Sequence, residues 1–169
     1  MRRKVLAWTV DMDPAATRAV YRRITQGAAA RCGCLPCRNF HAARPTYFSP
    51  FFRQMLAAFG VDPRKEFEVR WVTPVEGGGH LYAGAYVFTG EVVTGRPYRG
   101  FPFAYGDTDV FERISPEMHV ALRRWMFPEG PWKGLPCVRL EFLAVLPWVL
   151  DEPGTSAVDL GRGPHRPVS

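Results

Sequence analysis

The sequence predicts an α+β domain, with an antiparallel sheet, one or two short helices packed on it and a Cys-rich loop near the N-terminus. Two observations support this fold class. Apolar and polar residues alternate over 67–73 and again over 80–93, on either side of a Gly-rich turn, which is typical of an antiparallel hairpin. Strand and helix patterns do not alternate after residue 60, which disfavours a doubly wound parallel sheet.

The N-terminal segment predicts a strand followed by a helix. Residues 5–10 form an apolar run with β-branched members and indicate a buried strand. Asp13 then supplies a capping side chain and Pro14 a preset first helical residue, so a helix should run to about Gln26. Residues 31–39 contain closely spaced Cys, Gly and Pro, and they predict an irregular loop.

A second helix has the clearest signals in the chain. It should begin at Ser49-Pro50 and end at Gly60. Its apolar residues lie at helical spacing: Phe52, Met55, Leu56 and Phe59. We expect this face to pack against the apolar residues of the predicted strand over 67–73, because two apolar faces in a small domain have only each other to meet.

The C-terminal half indicates a loop, strands and one ambiguous segment. Residues 95–109 are rich in Gly, Pro and aromatic residues and predict a loop, and residues 110–114 predict a short strand. Helical spacing and strand alternation both fit 116–127, and the Ser-Pro-Glu sequence that opens this segment favours a helix. Residues 138–150 predict a final strand.

A chain of 169 residues has the length of one domain, which we expect to span residues 1–151. Residues 152–169 are polar and rich in Gly and Pro, and they predict a C-terminal tail. No apolar stretch is long enough to span a bilayer, and the N-terminal apolar run ends at Asp11, too soon for the core of a signal peptide. A cytoplasmic protein with no membrane association is therefore expected.

Positive charge is concentrated in the first third of the chain. The formal net charge is +6, and residues 1–44 hold nine Arg and Lys residues against two acidic ones. A concentration of this kind is one feature of nucleic-acid-binding proteins. The sequence therefore leaves binding of nucleic acid by this basic third as one alternative function.

Three cysteines, Cys32, Cys34 and Cys37, lie within six residues. Thiolates so closely spaced can converge on one soft or borderline-soft cation such as zinc. A tetrahedral zinc site needs a fourth ligand, and the sequence offers His41, four residues after Cys37, or Cys137, the only other cysteine. In a cytoplasmic protein these cysteines should be thiols or metal ligands rather than disulfides. The sequence therefore predicts a zinc site and leaves its fourth ligand open.

Cys34-Leu-Pro-Cys37 is also a CxxC motif, which in redox proteins follows a buried strand and opens a helix. Here the preceding residues GAAARCG do not predict a strand, so the redox alternative lacks its usual structural context.

Two acidic residues offer a different chemistry. Asp11 and Asp13 end the first predicted strand and resemble the first motif of haloacid-dehalogenase-type phosphatases, in which one Asp is the nucleophile and another the acid. Asp107 and Asp109 would then hold Mg²⁺. That motif has a hydroxyl residue where this chain has Ala15, so Asp13 as a helix cap is the simpler interpretation. A Mg²⁺-dependent phosphatase-like hydrolase remains the alternative as an enzyme.

Several blocks of the chain are similar to those of a known family. The pattern C-x-C-x-x-C-x-N-F, present as CGCLPCRNF, is followed by FGVDPRKE, GGGHLYAGAYVFTGE and LEFLAVLPWVL. Together they resemble a family of uncharacterised bacterial proteins over about residues 32–150. This resemblance implies strands rather than a helix near 118–127, and it implies no mechanism. The leading hypothesis from the sequence is a non-catalytic protein whose Cys cluster binds a structural zinc ion.

Overall fold

The computed structural model of the chain describes residues 1–95 and 111–154. Within these ranges seven strands form one antiparallel sheet, which confirms the predicted α+β class. The strands are β1 (Arg2–Val5), β2 (Trp8–Met12), β3 (Glu68–Pro74), β4 (Gly79–Thr94), β5 (Glu112–Ser115), β6 (Met118–Trp125) and β7 (Cys137–Pro147). Four α-helices accompany them in the described part of the chain: α1 (Pro14–Arg23), α2 (Ala28–Cys32), α3 (Leu35–Tyr47) and α4 (Pro50–Phe59).

The long strand β4 organises the sheet. The strand order is β1-β2-β4-β7-β6-β5, and β3 also pairs with β4. The first half of β4 pairs with β3, for example Val69 with Gly84, while its second half pairs with β2, for example Val10 with Val92. On its other side β4 pairs with β7 over its first eleven residues, from Gly79 opposite Pro147 onward. One strand thus connects the N-terminal hairpin with the rest of the sheet.

Helix α4 begins and ends at the residues that the sequence indicates, whereas α1 begins as expected but ends at Arg23 instead of about Gln26. Asp13 caps α1, since its carboxylate accepts hydrogen bonds from the backbone amides of Ala15 and Ala16. The Ser49 hydroxyl accepts a hydrogen bond from the amide of Phe52 at the start of α4. Gly60 ends α4 with a φ of 78°, a left-handed conformation that favours glycine.

The expectation of an irregular loop over 31–39 is wrong. Helix α2 ends at Cys32, Gly33 takes a left-handed conformation with a φ of 65°, and α3 begins at Leu35. The proline that suggested a loop lies in the first turn of α3, where the missing amide hydrogen costs nothing. The Cys-rich segment is therefore a tight turn between two helices, which we call the Cys knuckle (residues 32–37).

The preference for a helix over 116–127 is also wrong, and strand β6 occupies this segment. It pairs with β5 on one side and β7 on the other, from Met118 opposite Ala144 to Trp125 opposite Cys137. The residues before it form the turn of the β5–β6 hairpin instead of a helix start. Pairing with β7, which is distant in sequence, decides the conformation that local spacing left ambiguous.

The main core lies between the helices and one face of the sheet. Phe52 of α4 packs on Phe142 of β7 with ring centroids 6.0 Å apart, and Phe59 stacks on Phe88 of β4 at 4.4 Å. Helix α4 therefore packs on the central strands β4 and β7. The expectation that it packs on the apolar residues of β3 is wrong. Phe67, beside β3, instead contacts the ring of Trp125 at 4.8 Å.

Some expectations fall on residues that the structure does not describe. The loop predicted over 95–109 lies outside the described residues except for its first residue, as do Asp107 and Asp109. The predicted tail is described only as far as residue 154. Among the helices of residues 1–95 and 111–154, none combines the length and the apolar character needed to cross a membrane.

Candidate metal centre

The Cys knuckle places three thiols at the junction of two helices. Cys32 is the last residue of α2, Cys34 is the capping residue that precedes α3, and Cys37 lies in the first turn of α3. The left-handed Gly33 between them reverses the chain, so the sulfurs of Cys32 and Cys34 come to lie side by side. The helix boundaries alone thus bring the cysteines together.

The three sulfur atoms have the spacing of a metal site. All lie within 4.8 Å of one another, and the Sγ atoms of Cys32 and Cys34 are 3.2 Å apart. In a tetrahedral zinc site with Zn–S bonds of about 2.3 Å, neighbouring sulfurs lie about 3.8 Å apart. Cys37 is buried, whereas Cys32 and Cys34 are exposed to solvent. The arrangement is therefore open on one side and can hold a metal ion.

The surroundings act differently on the thiols. Hydrogen bonds with the backbone and then the side chain of Cys34 lower the pKa of Cys32 below its usual value. Burial raises the pKa of Cys37, and the neighbouring sulfurs raise it further. A bound cation would favour the thiolate form of all three, because metal ligands must be deprotonated.

A buried ion pair holds the two helices beside the knuckle. The carboxylate of Glu66, fully buried, pairs with the guanidinium of Arg44 on α3, whose side chain is 3% exposed. The same carboxylate accepts a hydrogen bond of 2.6 Å from the amide of Ala29 in α2. Gly27 packs so closely against this group that a Cβ there would lie 2.6 Å from a carboxylate oxygen of Glu66. We call Glu66 with Arg44 the helix clamp.

A second set of hydrogen bonds ties the start of α3 to the sheet. The Asn39 side-chain amide donates to the hydroxyl of Tyr82 and to the carbonyl of Pro147, both at 3.1 Å. The Tyr82 hydroxyl in turn donates to the carbonyl of Pro36, inside the knuckle. Burial raises the pKa of Tyr82 to about 12, so this hydroxyl keeps its proton at neutral pH. These bonds fix the backbone that carries Cys37.

His41 lies close to the Cys knuckle, but its ring nitrogens are not among the ligand atoms that lie within 4.8 Å of one another. It is exposed on α3, one helical turn after Cys37, and its Nδ1 lies 3.1 Å from Nη2 of Arg44. Together with Gly33 and Arg38 it lines a shallow cavity beside the turn. Side chains four residues apart on a helix have Cβ atoms about 6 Å apart, so His41 borders the site.

Cys137 is not brought to the other three thiols. It begins β7, and its Sγ lies 4.0 Å from the carbonyl oxygen of Trp132. Tyr82, which contacts the knuckle, pairs with Ala144, seven residues further along β7 and roughly 23 Å away at the rise of a strand. Burial raises the pKa of Cys137 to about 11. Its role as the fourth ligand therefore conflicts with its place in the sheet.

The CxxC motif opens a helix, as a redox site would, but the element before it is α2 and not a buried strand.

The two acidic residues of the phosphatase alternative have structural roles. Asp11 pairs with Arg2 at 2.6 Å and Asp13 caps α1, and their strand lies in an antiparallel sheet. The structure thus supplies neither alternative with its expected context.

The basic third of the chain is not one basic face, because several of its cations are engaged. Arg44 is buried in the helix clamp, Arg38 pairs with Glu152 at 2.8 Å, and Arg2 pairs with Asp11. Arg23 donates to the carbonyl of Pro131. The positive charge left for a partner is therefore confined to fewer residues than the sequence indicates.

Two features near the site were missed at the sequence level. Glu66 was not singled out because its partners lie 22 and 37 residues away in the chain, and no local spacing reveals them. Asn39 belongs to the CxCxxCxNF pattern, and an amide at that fixed position was a signal that could have marked a buried hydrogen-bonding residue.

Comparisons with protein-family models, curated proteins and solved structures found no match. The assignment of the site therefore depends on its geometry.

Proposed function

We propose that Cys32, Cys34 and Cys37 bind one zinc ion, and that this ion stabilises the turn between α2 and α3. The observation that carries the proposal is the convergence of three sulfur atoms within 4.8 Å at a helix junction. The protein is then a non-catalytic, metal-stabilised α+β protein. Support for a structural role comes from what the knuckle connects.

The chemistry of the donors favours zinc. Three thiolates are soft ligands, which select zinc or copper(I) over the hard cations magnesium and calcium. Zinc imposes no geometry through its d electrons, so it accepts the irregular spacing of these sulfurs. A disulfide within the knuckle would use two thiols and leave the third without a role.

The position of the knuckle favours a structural ion. Helix α2 has five residues, far fewer than an isolated helix needs to be stable in water. Its amides are held at one end by Glu66, while its other end is Cys32, at the knuckle. A metal ion bound to Cys32 and Cys37 would fix that second end to α3, so its binding free energy would add to the free energy of unfolding.

We further propose His41 as the fourth ligand. Structural zinc sites use four protein ligands, and His41 borders the knuckle from the same helix as Cys37. A guanidinium only donates, so Nδ1 accepts from Arg44 and Nε2 carries the ring proton. Coordination of zinc by His41 would therefore require this hydrogen bond to break. A three-thiolate, one-imidazole set is a common structural zinc site.

The test is the metal content of the purified full-length chain and of single variants. After purification under reducing conditions, elemental analysis should find about one equivalent of zinc in the wild-type protein. Cys34→Ser should lose most of it, because Cys34 is exposed and its change disturbs no core contact. Cys137→Ser is the matched control, a buried cysteine outside the site that should keep the metal.

His41→Ala separates the fourth ligand from the site itself. If His41 binds the ion, this variant should bind zinc at least tenfold more weakly than wild type, while a variant at exposed Tyr47, Tyr47→Ala, should not. Unchanged affinity in His41→Ala would remove His41 from the site but leave the three thiolates. Less than about a tenth of an equivalent of any transition metal in the wild-type protein, with no uptake of added zinc, would overturn the proposal.

A further inference from the structure

A groove runs along the surface between α1 and the segment that follows α4. Its volume is about 460 Å³, and it is open to solvent along one side. It is separate from the Cys knuckle. Its charged lining comes from Arg18 and Arg22 of α1 and from Asp62, Arg64 and Lys65 of the loop after α4.

The groove carries a net positive charge. Among the described residues of its lining, four cationic side chains stand against a single carboxylate, which gives a net charge of +3. That carboxylate, Asp62, is already engaged by Arg64 at 3.0 Å and by Lys65 at 3.7 Å. The side chains of Arg18 and Arg22 are exposed and make no hydrogen bond or ion pair with any residue in 1–95 or 111–154. Two guanidinium groups are thus left for an anion.

Helix α1, which carries the two arginines, is held in a fixed relation to the opposite wall. They lie one turn apart on α1, about 6 Å along its axis, and so project on one side of the helix. Helices α1 and α4 meet at Gly60, where a Cβ would lie 2.4 Å from the carbonyl oxygen of Pro14. The close approach at Gly60, which has a φ of 78°, fixes the width of the groove at this end.

The chemistry of the lining selects phosphate. Guanidinium groups bind phosphate through two parallel hydrogen bonds, and lysine binds it as a point charge. Among the described residues that line the groove, Tyr21 is the one aromatic residue; it is buried, and its hydroxyl donates to the carbonyl of Val87. The groove therefore offers cations for a backbone and no exposed ring on which a base could stack.

We propose that this groove binds the phosphate backbone of a nucleic acid, independently of base sequence and of the metal at the Cys knuckle. The open side of the groove leaves room for a polymer to lie across it, beside the cations that line it. The cations that would bind nucleic acid are then the four that line the groove, and two of them lie outside the basic third of the chain.

The experiment measures binding of the zinc-loaded full-length protein to a fluorescein-labelled 20-base-pair DNA duplex of mixed sequence, by anisotropy at several salt concentrations. Binding should be measurable at 50 mM salt and weaken steeply as salt rises, because counterions are released from the phosphates. The double variant Arg18→Gln/Arg22→Gln should bind at least tenfold more weakly, and its log–log salt slope should be shallower by about 2.

The control removes the same charge elsewhere. Arg3→Gln/Lys4→Gln lies on exposed β1, outside the groove, and changes the net charge by the same amount. It should bind within about twofold of wild type. Unfolding curves of both double variants should match that of wild type, since none of the four side chains has a hydrogen-bond or ion-pair partner among the described residues.

Three results would overturn the proposal. The first is no binding tighter than about 100 μM at 50 mM salt, which is the weak limit of non-specific association at physiological salt. The second is an equal loss in both double variants, which would show that net charge alone matters. The third is binding of sodium triphosphate as tightly as the duplex with the same dependence on Arg18 and Arg22, which would assign a compact anion site instead.

Discussion

The helix clamp gives a quantitative prediction for stability. The side chains of Arg44 and Glu66 are 3% and 0% exposed, so each charged group has lost its contact with water and is paired with the other. Removing one partner of such a pair leaves an uncompensated buried charge and typically costs about 3–5 kcal/mol. We therefore expect Arg44→Met and Glu66→Gln each to lower the free energy of unfolding by about 3–5 kcal/mol.

The double variant tests whether the pair acts as a unit. With both charges removed no buried charge remains, and the side-chain amide oxygen that Glu66→Gln leaves in place can still accept from the amide of Ala29. The loss in Arg44→Met/Glu66→Gln should therefore be smaller than the sum of the single losses by about 2–3 kcal/mol, the upper range for residues in contact.

Urea unfolding followed by circular dichroism measures these losses. At a slope of about 2 kcal/mol per M, each single variant should shift the midpoint down by roughly 1.5–2.5 M with the slope unchanged. Arg2→Met breaks the exposed pair with Asp11 and is the control, because solvent screens an exposed pair and its loss should leave the midpoint nearly unchanged. Single losses below about 1 kcal/mol, or additive losses in the double variant, would refute the role of the clamp.

Two further predictions concern the core and the sheet. Phe59→Ala should lower the free energy of unfolding by about 3–5 kcal/mol, because the ring is 1% exposed and stacks on Phe88. Phe51→Ala, on the exposed side of α4, should cost less than about 1 kcal/mol in the same urea assay, and equal losses would contradict this packing. Burial raises the pKa of Glu141 above that of an ordinary glutamate, against the opposing effect of Arg139. The folded state thus binds the proton of Glu141 more tightly than the unfolded state does. The resulting contribution to the free energy of unfolding is fully present below the ordinary pKa of glutamate, and it is lost as pH rises through the raised pKa of the folded state. The stability of wild type relative to Glu141→Gln should therefore fall as pH rises above about 4, and a rise over that window would contradict the sign.

Elements with strong local signals were predictable from the sequence. Asp13 and Ser49 cap the helices that they were expected to cap, and Gly60 ends α4, because each acts through neighbours close to it in the chain. The hairpin of β3 and β4 follows from alternation around a Gly-rich turn. The Cys cluster was predictable for the same reason, since its members are close in sequence and the chain needs only one turn to bring them together.

Elements fixed by distant partners were not predictable. Helix α2 is short, and its start is held by Glu66, 37 residues from Ala29. The segment of β6 is a strand because β7 pairs with it, although its local spacing also fits a helix. The distance of Cys137 from the knuckle depends on the direction of β7, which the sequence does not state.

The packing of α3 also changes what metal removal should do. The sequence RCGCLPCRN, residues 31–39, has few apolar side chains to bury, which by itself predicts that residues 31–44 become protease-sensitive without metal. In the structure Phe40 and Ala43 are fully buried, and Asn39 is bonded to the sheet. A chelator should therefore loosen mainly the knuckle, residues 32–37, while the rest of α3 stays protected.

X-ray absorption at the zinc edge of the purified full-length protein tests the proposed site most directly, because it counts ligand atoms and measures their distances. The account predicts three sulfur scatterers at about 2.3 Å and one nitrogen at about 2.0–2.1 Å. In Cys34→Ser the sulfur count should fall to two or the metal should be absent. A shell of nitrogen and oxygen alone, or a sulfur count that Cys34→Ser leaves at three, would contradict zinc binding by the Cys knuckle.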